Sequence, residues 1–559
     1  VKYRYLAGLL LLWLTTGCAT FLPAAATTPT FVPAPTAPQQ ILPAGQGPGT
    51  LANYRLQVTL DYIGHRIQVE ELVRIINPGP DHWDKLIFYL PPALRDTDRF
   101  TISTAQLQQN TQTQAPNVEV DPKGYIIFSL PGYVRPNAEV TVRIAYGLKA
   151  QYTILLARRP LGDVGYSDQL IQFHEWYPRL VPYQPNVGWI KWETTSVGPP
   201  IFAEIADYEL QVQAPNGVIV ASGGLVAQSG ETWRFAMQNA RSIAFTASPD
   251  YVVQSKTVRG VRVDAYGLAA DVDLQLPAVL ETAEKVLNLY SDRFGKYPYN
   301  SLVIARNAYT STNASGGFLS HSGRSYAEYT GQEDTLLQVS IALGLGEMWW
   351  QQFVGQNPIV EPWVGGGLAM YSELLFHEAY NPNLVDWYWR NRIDYWQPTG
   401  ALNRSTYDLK TTESLLRNVY RIGARFLAEL RSAMGDEAFM AFLQDYFQSS
   451  AFRLSSSTDF WEAVRKHAPL DYSDLQRKYF DSNILIPTPY PSLTPVPTAG
   501  PSPTATPARI HIVKPNETLS DVAWLYGISM RAIMDINSMR GDPIDVILRP
   551  GQQLIIPYK

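Results

Sequence analysis

A run of 21 residues, Pro487 to Pro507, alternates proline with threonine, serine and a few small or apolar residues and carries no charge. Such a stretch has too little apolar surface to offset the entropy of ordering, and its prolines favour an extended polyproline II backbone. At about 3.1 Å per residue it reaches roughly 65 Å. The chain is therefore divided before any fold is considered, into a long part ahead of the tether and a short part behind it. Residues 18–50, rich in Ala, Pro, Thr and Gln and almost uncharged, read as a second tether. At 559 residues the chain also exceeds what one hydrophobic core supports.

Ahead of that second tether, Lys2 and Arg4 precede an apolar run, Tyr5 to Leu14, that is too short to span a bilayer. The run ends in Leu14-Thr15-Thr16-Gly17-Cys18, which resembles a bacterial lipoprotein signal, with Thr15 where leucine is usual. The resemblance implies removal of residues 1–17, lipid on Cys18, and an extracytoplasmic, membrane-anchored protein at the bacterial cell envelope. An ordinary secretory leader with an incidental cysteine is the alternative. Cys18 is the single cysteine, so internal disulfides and cysteine-based structural zinc sites are excluded. With 45 Lys+Arg against 50 Asp+Glu, the chain lacks the cationic excess that nucleic-acid binding needs.

Between the tethers the hydrophobic period changes once. Residues 51–255 carry alternating segments such as Tyr54-Arg55-Leu56-Gln57-Val58-Thr59-Leu60, divided by turn clusters such as Asn77-Pro78-Gly79-Pro80. Period-two alternation predicts an antiparallel β-sandwich. Over 256–484, apolar residues recur at three- and four-residue spacing in 274–294, 335–354, 414–434 and 436–447, which predicts an α-rich domain. Gly344 and Gly346 within the second of these predict a loosened or kinked helix.

Behind the linker 485–508, residues 509–559 place two short β-branched strands around two short helices. Thr518 is positioned to N-cap the first helix and Gly527 to end it. The run Ile512-Val513-Lys514-Pro515-Asn516-Glu517-Thr518-Leu519, then Tyr526-Gly527-Ile528-Ser529, Ile536-Asn537 and Arg549-Pro550-Gly551-Gln552, resembles a LysM domain. The resemblance implies a βααβ fold and binding of peptidoglycan or a related N-acetylglucosamine glycan. The implied contacts are Asn516, Glu517, Thr518, Leu519, Asn537, Arg549, Pro550 and Gly551. A packing module without sugar affinity is the alternative.

Residues 50–484 resemble the gluzincin aminopeptidases, the family of membrane alanyl aminopeptidase and leukotriene hydrolase. Trp176-Tyr177-Pro178-Arg179, Phe294-Gly295-Lys296-Tyr297-Pro298-Tyr299, Glu361-Pro362-Trp363 and Tyr420-Arg421-Ile422-Gly423 carry the resemblance, in the family's order. It implies a β-sandwich followed by a thermolysin-like α+β domain. It also implies zinc on H-E-x-x-H plus a more distant Glu, the motif's own Glu being general base. In this register the first His is Leu343, the general base is Gly344, the second His is Glu347 and the third ligand is Gly366. The Glu that anchors a substrate's free amine is Leu319, and only Tyr420 matches a catalytic position, that of the residue stabilising the tetrahedral intermediate. No H-E-x-x-H occurs elsewhere among the seven histidines.

Three readings follow. The first is a non-catalytic protein whose peptidase-like cleft holds a peptide or protein while the LysM fixes it to the wall, with no cofactor. The second is a hydrolase with a rebuilt site around Glu347, Glu373, His377 and Tyr420, the first three being the candidate metal ligands. It requires at least three of these groups to converge. The third is a structural tether. Otherwise, Glu373 and His377 form a solvated helical face and His174 makes a structural hydrogen bond in the sandwich.

Overall fold

The computed structural model describes residues 51–481 and 509–556. Short stretches at 92–97, 110–111, 154–163, 193–196, 198–201, 310, 334, 515–516, 527, 538, 540–545 and 547 lie outside the described residues. Cys18, both tethers and Asn516 also fall outside them.

The strand Ala52–Asp61 buries Tyr54, Leu56, Val58 and Leu60 and exposes the residues between them, as period-two alternation requires. It pairs antiparallel with Arg66–Ile76 on one side. On the other it pairs parallel with Ala206–Gln213, an exception to the expected antiparallel pattern. Five further strands complete an eight-stranded sheet built on these three, and it shares its core with a four-stranded and a five-stranded sheet. Leu56, Val69, Phe88, Phe128, Val142, Phe173 and Phe245 lie in that shared core.

A second five-stranded sheet runs in the spatial order Tyr251–Val258, Val261–Leu268, Ser301–Arg306, Phe318–His321, Asn313–Ser315. The hairpin that opens it begins at Tyr251, a few residues before the seam expected at 255. Periodicity alone cannot separate the last strand of one sheet from the first of the next.

Helices pack beside this sheet. Gln275–Arg293 buries one apolar face, including Leu276, Val279, Ala283, Val286 and Tyr290. The helix Leu336–Glu347 is continuous through Gly344 and Gly346 and widens into a π-helical turn over Met348–Phe353. Gly346 permits a close crossing with Pro362–Tyr380, since a Cβ there would lie 3.0 Å from the Ala369 carbonyl oxygen. The Pro362–Tyr380 helix is buried on every side from Pro362 to His377. That explains why its sequence is apolar all round. Gly367 crosses Gly423 so closely that a Cβ on Gly367 would stand 3.0 Å from the Gly423 Cα.

Arg241 joins the sandwich to the helical part. Its guanidinium donates to the carbonyls of Ala203 at 2.8 Å and Arg453 at 2.8 Å. Gly355 lies flush beneath it, where a Cβ would meet Arg241 Cζ at 2.1 Å.

The C-terminal segment has the expected βααβ order: Arg509–Ile512, Leu519–Tyr526, Met530–Ile536 and Gln553–Ile556. Thr518 caps the first helix, its Oγ1 accepting the Asp521 N–H at 3.2 Å while its own N–H donates to Asp521 Oδ2 at 2.7 Å. Val513, Leu519, Val522, Ile533, Leu554 and Ile556 fill its core. Among the described residues no helix is long and apolar enough to cross a membrane.

Candidate functional site

The residues aligned with the zinc site come together, but what they form is a packed seam. Gly344 faces the buried side chain of Leu319, and a Cβ on Gly344 would lie 2.7 Å from Leu319 Cδ1 and 3.0 Å from Thr312 Cγ2. The residue at the amine-anchor position thus fills the space of the general-base position. Gly366 is covered in the same way by the ring of Tyr420, whose Cε2 would stand 2.7 Å from a Cβ there. Leu343 is half-buried and packs against the adjoining core.

Glu347 is the one acid in this register, and it is engaged. The Tyr420 hydroxyl donates to Glu347 Oε1 at 2.9 Å and accepts from Gln351 Nε2 at 3.0 Å. The π-helical turn after Glu347 brings Gln351 and Gln352 to the same wall. A second π-helical turn, Leu416–Arg421, does the same for Tyr420 and, at its start, Leu415. These walls enclose a cleft of about 90 Å³, with His174, Glu175, Thr312, Asn313, Ala314, Gln356, Pro358 and Pro362 completing its lining. That is space for several waters or one small polar group. Glu175, held at a positive φ of 52°, is paired with Arg179, and both side chains are buried. His174 is therefore a cleft residue as well as a sandwich residue.

Glu373 and His377 are not part of this constellation, which corrects the three-ligand metal candidate. Glu373 is fully buried and receives both Nε and Nη2 of Arg392, at 2.6 and 2.7 Å. That bidentate pair satisfies the carboxylate inside the fold. His377 is fully buried among Phe376, Trp387 and Tyr388, and neither ring nitrogen has a hydrogen-bond partner. Burial depresses its pKa below the usual histidine value. The expected solvated face is thus a core face, because the helix is enclosed on all sides. Of the four groups in the rebuilt-site reading, only Glu347 and Tyr420 meet.

Zinc does not fit the donor set. Leucine and glycine supply no ligand at two of the three aligned ligand positions, Leu343 and Gly366, and no general base at Gly344. Among the described residues no three of His, Cys, Asp or Glu are grouped to hold a metal.

In the C-terminal segment, four of the implied glycan contacts, Leu519, Asn537, Glu517 and Thr518, serve the fold. Leu519 is a core residue. Asn537 Nδ2 donates to the carbonyls of Ile533 and Ile555, each at 2.7 Å, and its Oδ1 accepts the Ile555 N–H at 2.8 Å. Glu517 accepts the Lys514 N–H at 2.7 Å and lies 2.9 Å from His511 Nε2. The Lys514 N–H and then His511 hold its carboxyl below the usual range. Thr518 is spent on its cap, while Arg549, Pro550 and Gly551 are exposed at the loop before the last strand. The sequence motif marked these positions without separating fold from contact. It also gave no sign of the cleft amides, apart from the four-residue spacing between Glu347 and Gln351.

Comparison with known proteins places this geometry. Residues 511–557 match the LysM domain family. The body is similar to Aminopeptidase N of Lactobacillus delbrueckii subsp. lactis, 22% identical over 260 residues, covering 43% of this chain and 30% of that enzyme. It is likewise similar to Aminopeptidase N of Lactobacillus helveticus, 24% identical over 250 residues, covering 41% and 29%. The matches thus span less than a third of the length of these curated relatives. In structure it is similar to an M1 zinc metallopeptidase from Deinococcus radiodurans, with TM-score 0.57 and 18% identity over 82% of this chain and 98% of that one. A mutant of that enzyme bound to a Tyr-Ser-Ala substrate gives TM-score 0.56 and 17% identity over 81% and 98%. The class these findings define is a gluzincin aminopeptidase-like scaffold. In this chain that scaffold is followed by a LysM domain.

Proposed function

We propose that this chain is a cell-envelope lipoprotein in which a catalytically inactive aminopeptidase-like body binds a peptide or protein and the LysM domain binds peptidoglycan N-acetylglucosamine glycan. The observation that carries the inactive reading is the paired loss at the aligned site. Gly344 and Leu319, and Gly366 and Tyr420, pack as complementary knobs and holes, so the lost groups are replaced by a filled core. The Glu347–Tyr420 bond supports the same reading, since the hydroxyl that would meet a tetrahedral intermediate is directed to a carboxylate. A water-activating metal would be needed for the family's hydrolysis, and the donors for it are missing. Lipid on Cys18 would hold the body to the membrane, and the linker 485–508 would let the LysM reach the wall.

Two assays on the intact chain test this. Incubation with alanyl- and leucyl-p-nitroanilide in excess zinc is expected to release no nitroaniline above buffer. Cosedimentation with insoluble peptidoglycan is expected to retain the full chain and to lose it when residues 509–559 are removed. Zinc-dependent turnover abolished by Glu347→Gln would overturn the inactive reading, and cosedimentation unchanged by the deletion would overturn the LysM assignment.

A further inference from the structure

Arg421, at the end of the π-helical turn Leu416–Arg421, is a buried cation without a bonded anion. Its side chain is largely enclosed, the residue being only 7% exposed. Nε donates to the Arg392 carbonyl at 2.8 Å, and among the described residues Nη1 and Nη2 find no acceptor. These two nitrogens still reach solvent, whereas the unpaired Nε of the neighbouring Arg417 is sealed in.

The acid nearest in effect cannot serve Arg421. Both Nε and Nη2 of Arg392 already occupy the Glu373 carboxylate. Arg417 brings no spare acid, since it is paired with Glu413. Two arginines thus face one buried carboxylate, and one positive charge is left over. Burial, and then the charge of Arg392, push the pKa of Arg421 down to about 10, which still leaves it charged at neutral pH.

A guanidinium taken out of water without a partner is costly, and an anion that supplies the partner recovers that cost. Two free nitrogens at the end of the fork match the paired oxygens of a carboxylate or a phosphate. Charge selects between them. A phosphate monoester carries nearly two negative charges at neutral pH, more than the single uncompensated cation neutralises. A carboxylate carries one.

The surroundings describe what the carboxylate is attached to. The guanidinium covers the Trp396 ring at 4.3 Å, a stacking that uses its face and leaves its edge N–H groups available. Tyr395 stands edge-to-face with Trp396, ring centres 5.5 Å apart. Trp396 is 36% and Tyr395 75% exposed, so two aromatic surfaces flank the fork in contact with water. Covering them with an apolar group is favourable.

We propose that Arg421, Trp396 and Tyr395 form a binding site for a carboxylate carried on an apolar or ring-bearing group. The guanidinium takes both oxygens and the two rings cover the attached group. None of the three residues lines the cleft, so this site stands apart from the reading given to the cleft.

The test is saturation-transfer NMR titration of the full chain at neutral pH and constant ionic strength with benzoate, acetate, benzamide and phenyl phosphate. Benzoate is expected to bind with a Kd of about 1 mM, at least about fivefold more tightly than any of the others. Arg421→Met is expected to weaken benzoate at least about tenfold. Its melting temperature should be unchanged or higher, because an apolar side chain replaces an unpaired cation. Should that variant fail to fold, Arg421→Lys, which keeps the charge and removes the fork, reads the same loss. Tighter binding of phenyl phosphate would overturn the carboxylate assignment. Benzamide binding as tightly as benzoate would overturn the role of the guanidinium. Benzoate affinity unchanged in Arg421→Met, or no benzoate binding at about ten times the expected Kd, would overturn the site itself.

Discussion

The ring of Tyr420 occupies the space that any side chain on Gly366 would need, with 2.7 Å between the ring edge and the position of a Cβ. Tyr420 is held there by Glu347 and Gln351, so it cannot swing aside without losing two hydrogen bonds.

A double-mutant cycle should expose this dependence. Gly366→Ala gains about 1 kcal/mol of helix propensity but forces an overpacked contact worth roughly 1–3 kcal/mol. The single variant is therefore expected to be destabilised. In a Tyr420→Ala background the clash disappears and the same substitution should become neutral or stabilising. Denaturant unfolding of the four proteins measures the coupling, expected at about 1–2 kcal/mol. Additive effects would show that the two residues do not compete for one volume.

The contribution of Glu361 to stability should fall as pH rises from acid to neutral. Glu361 is 5% exposed, and burial raises its carboxyl pKa from 4.5 to about 7, against the pull of its bonds to Ser457. The folded state then binds more protons than the unfolded one between these values. The associated stability is complete below the unfolded pKa and is lost as pH passes through about 7. The loss is on the order of 3 kcal/mol. Thermal melting of the wild-type chain and of Glu361→Gln from pH 4.5 to 8 reads this contribution as a difference, wild type minus variant, that falls with rising pH, since Glu204, raised by burial to about 7, and His377, lowered by burial, titrate in both proteins. A difference that stays constant or grows over the interval would contradict the assignment.

Fold and binding should separate within the LysM domain. Asn537 makes three hydrogen bonds that pin the second helix to the last strand, so Asn537→Ala is expected to cost about 2–3 kcal/mol of domain stability. Arg549 is exposed and caps no element, so Arg549→Ala should lower glycan affinity with no change in amide-exchange protection. Hydrogen exchange over residues 509–556 in the intact chain, paired with chitotriose titration, distinguishes the two effects. Equal protection in both variants would mean that Asn537 is not structural.

Much of this architecture was legible because it rests on periodicity. The alternation of Tyr54, Leu56, Val58 and Leu60, the helical spacing of 274–294 and the LysM pattern each reflect a single buried face. The parallel pairing of 52–61 with 206–213 was not legible, since periodicity gives the face of a strand and not its neighbour. Glu373 and His377 were misplaced for a related reason. Polar residues four apart suggest a wet face, and only the tertiary fold supplies Arg392 to make a buried carboxylate tolerable. The lost zinc ligands could be read directly from Leu343 and Gly366, and the lost general base from Gly344. Their plugging by Leu319 and Tyr420 could not, because a glycine records room for a neighbour without naming it.

The central claim is that the peptidase-like site has been filled and no longer holds a metal. Its most direct test is metal content by mass spectrometry on the intact chain after loading with zinc and exhaustive dialysis. Less than about a tenth of an equivalent is expected, because one carboxylate without imidazole partners does not retain zinc. A full equivalent that is lost in Glu347→Gln would contradict the account and require a rebuilt catalytic site.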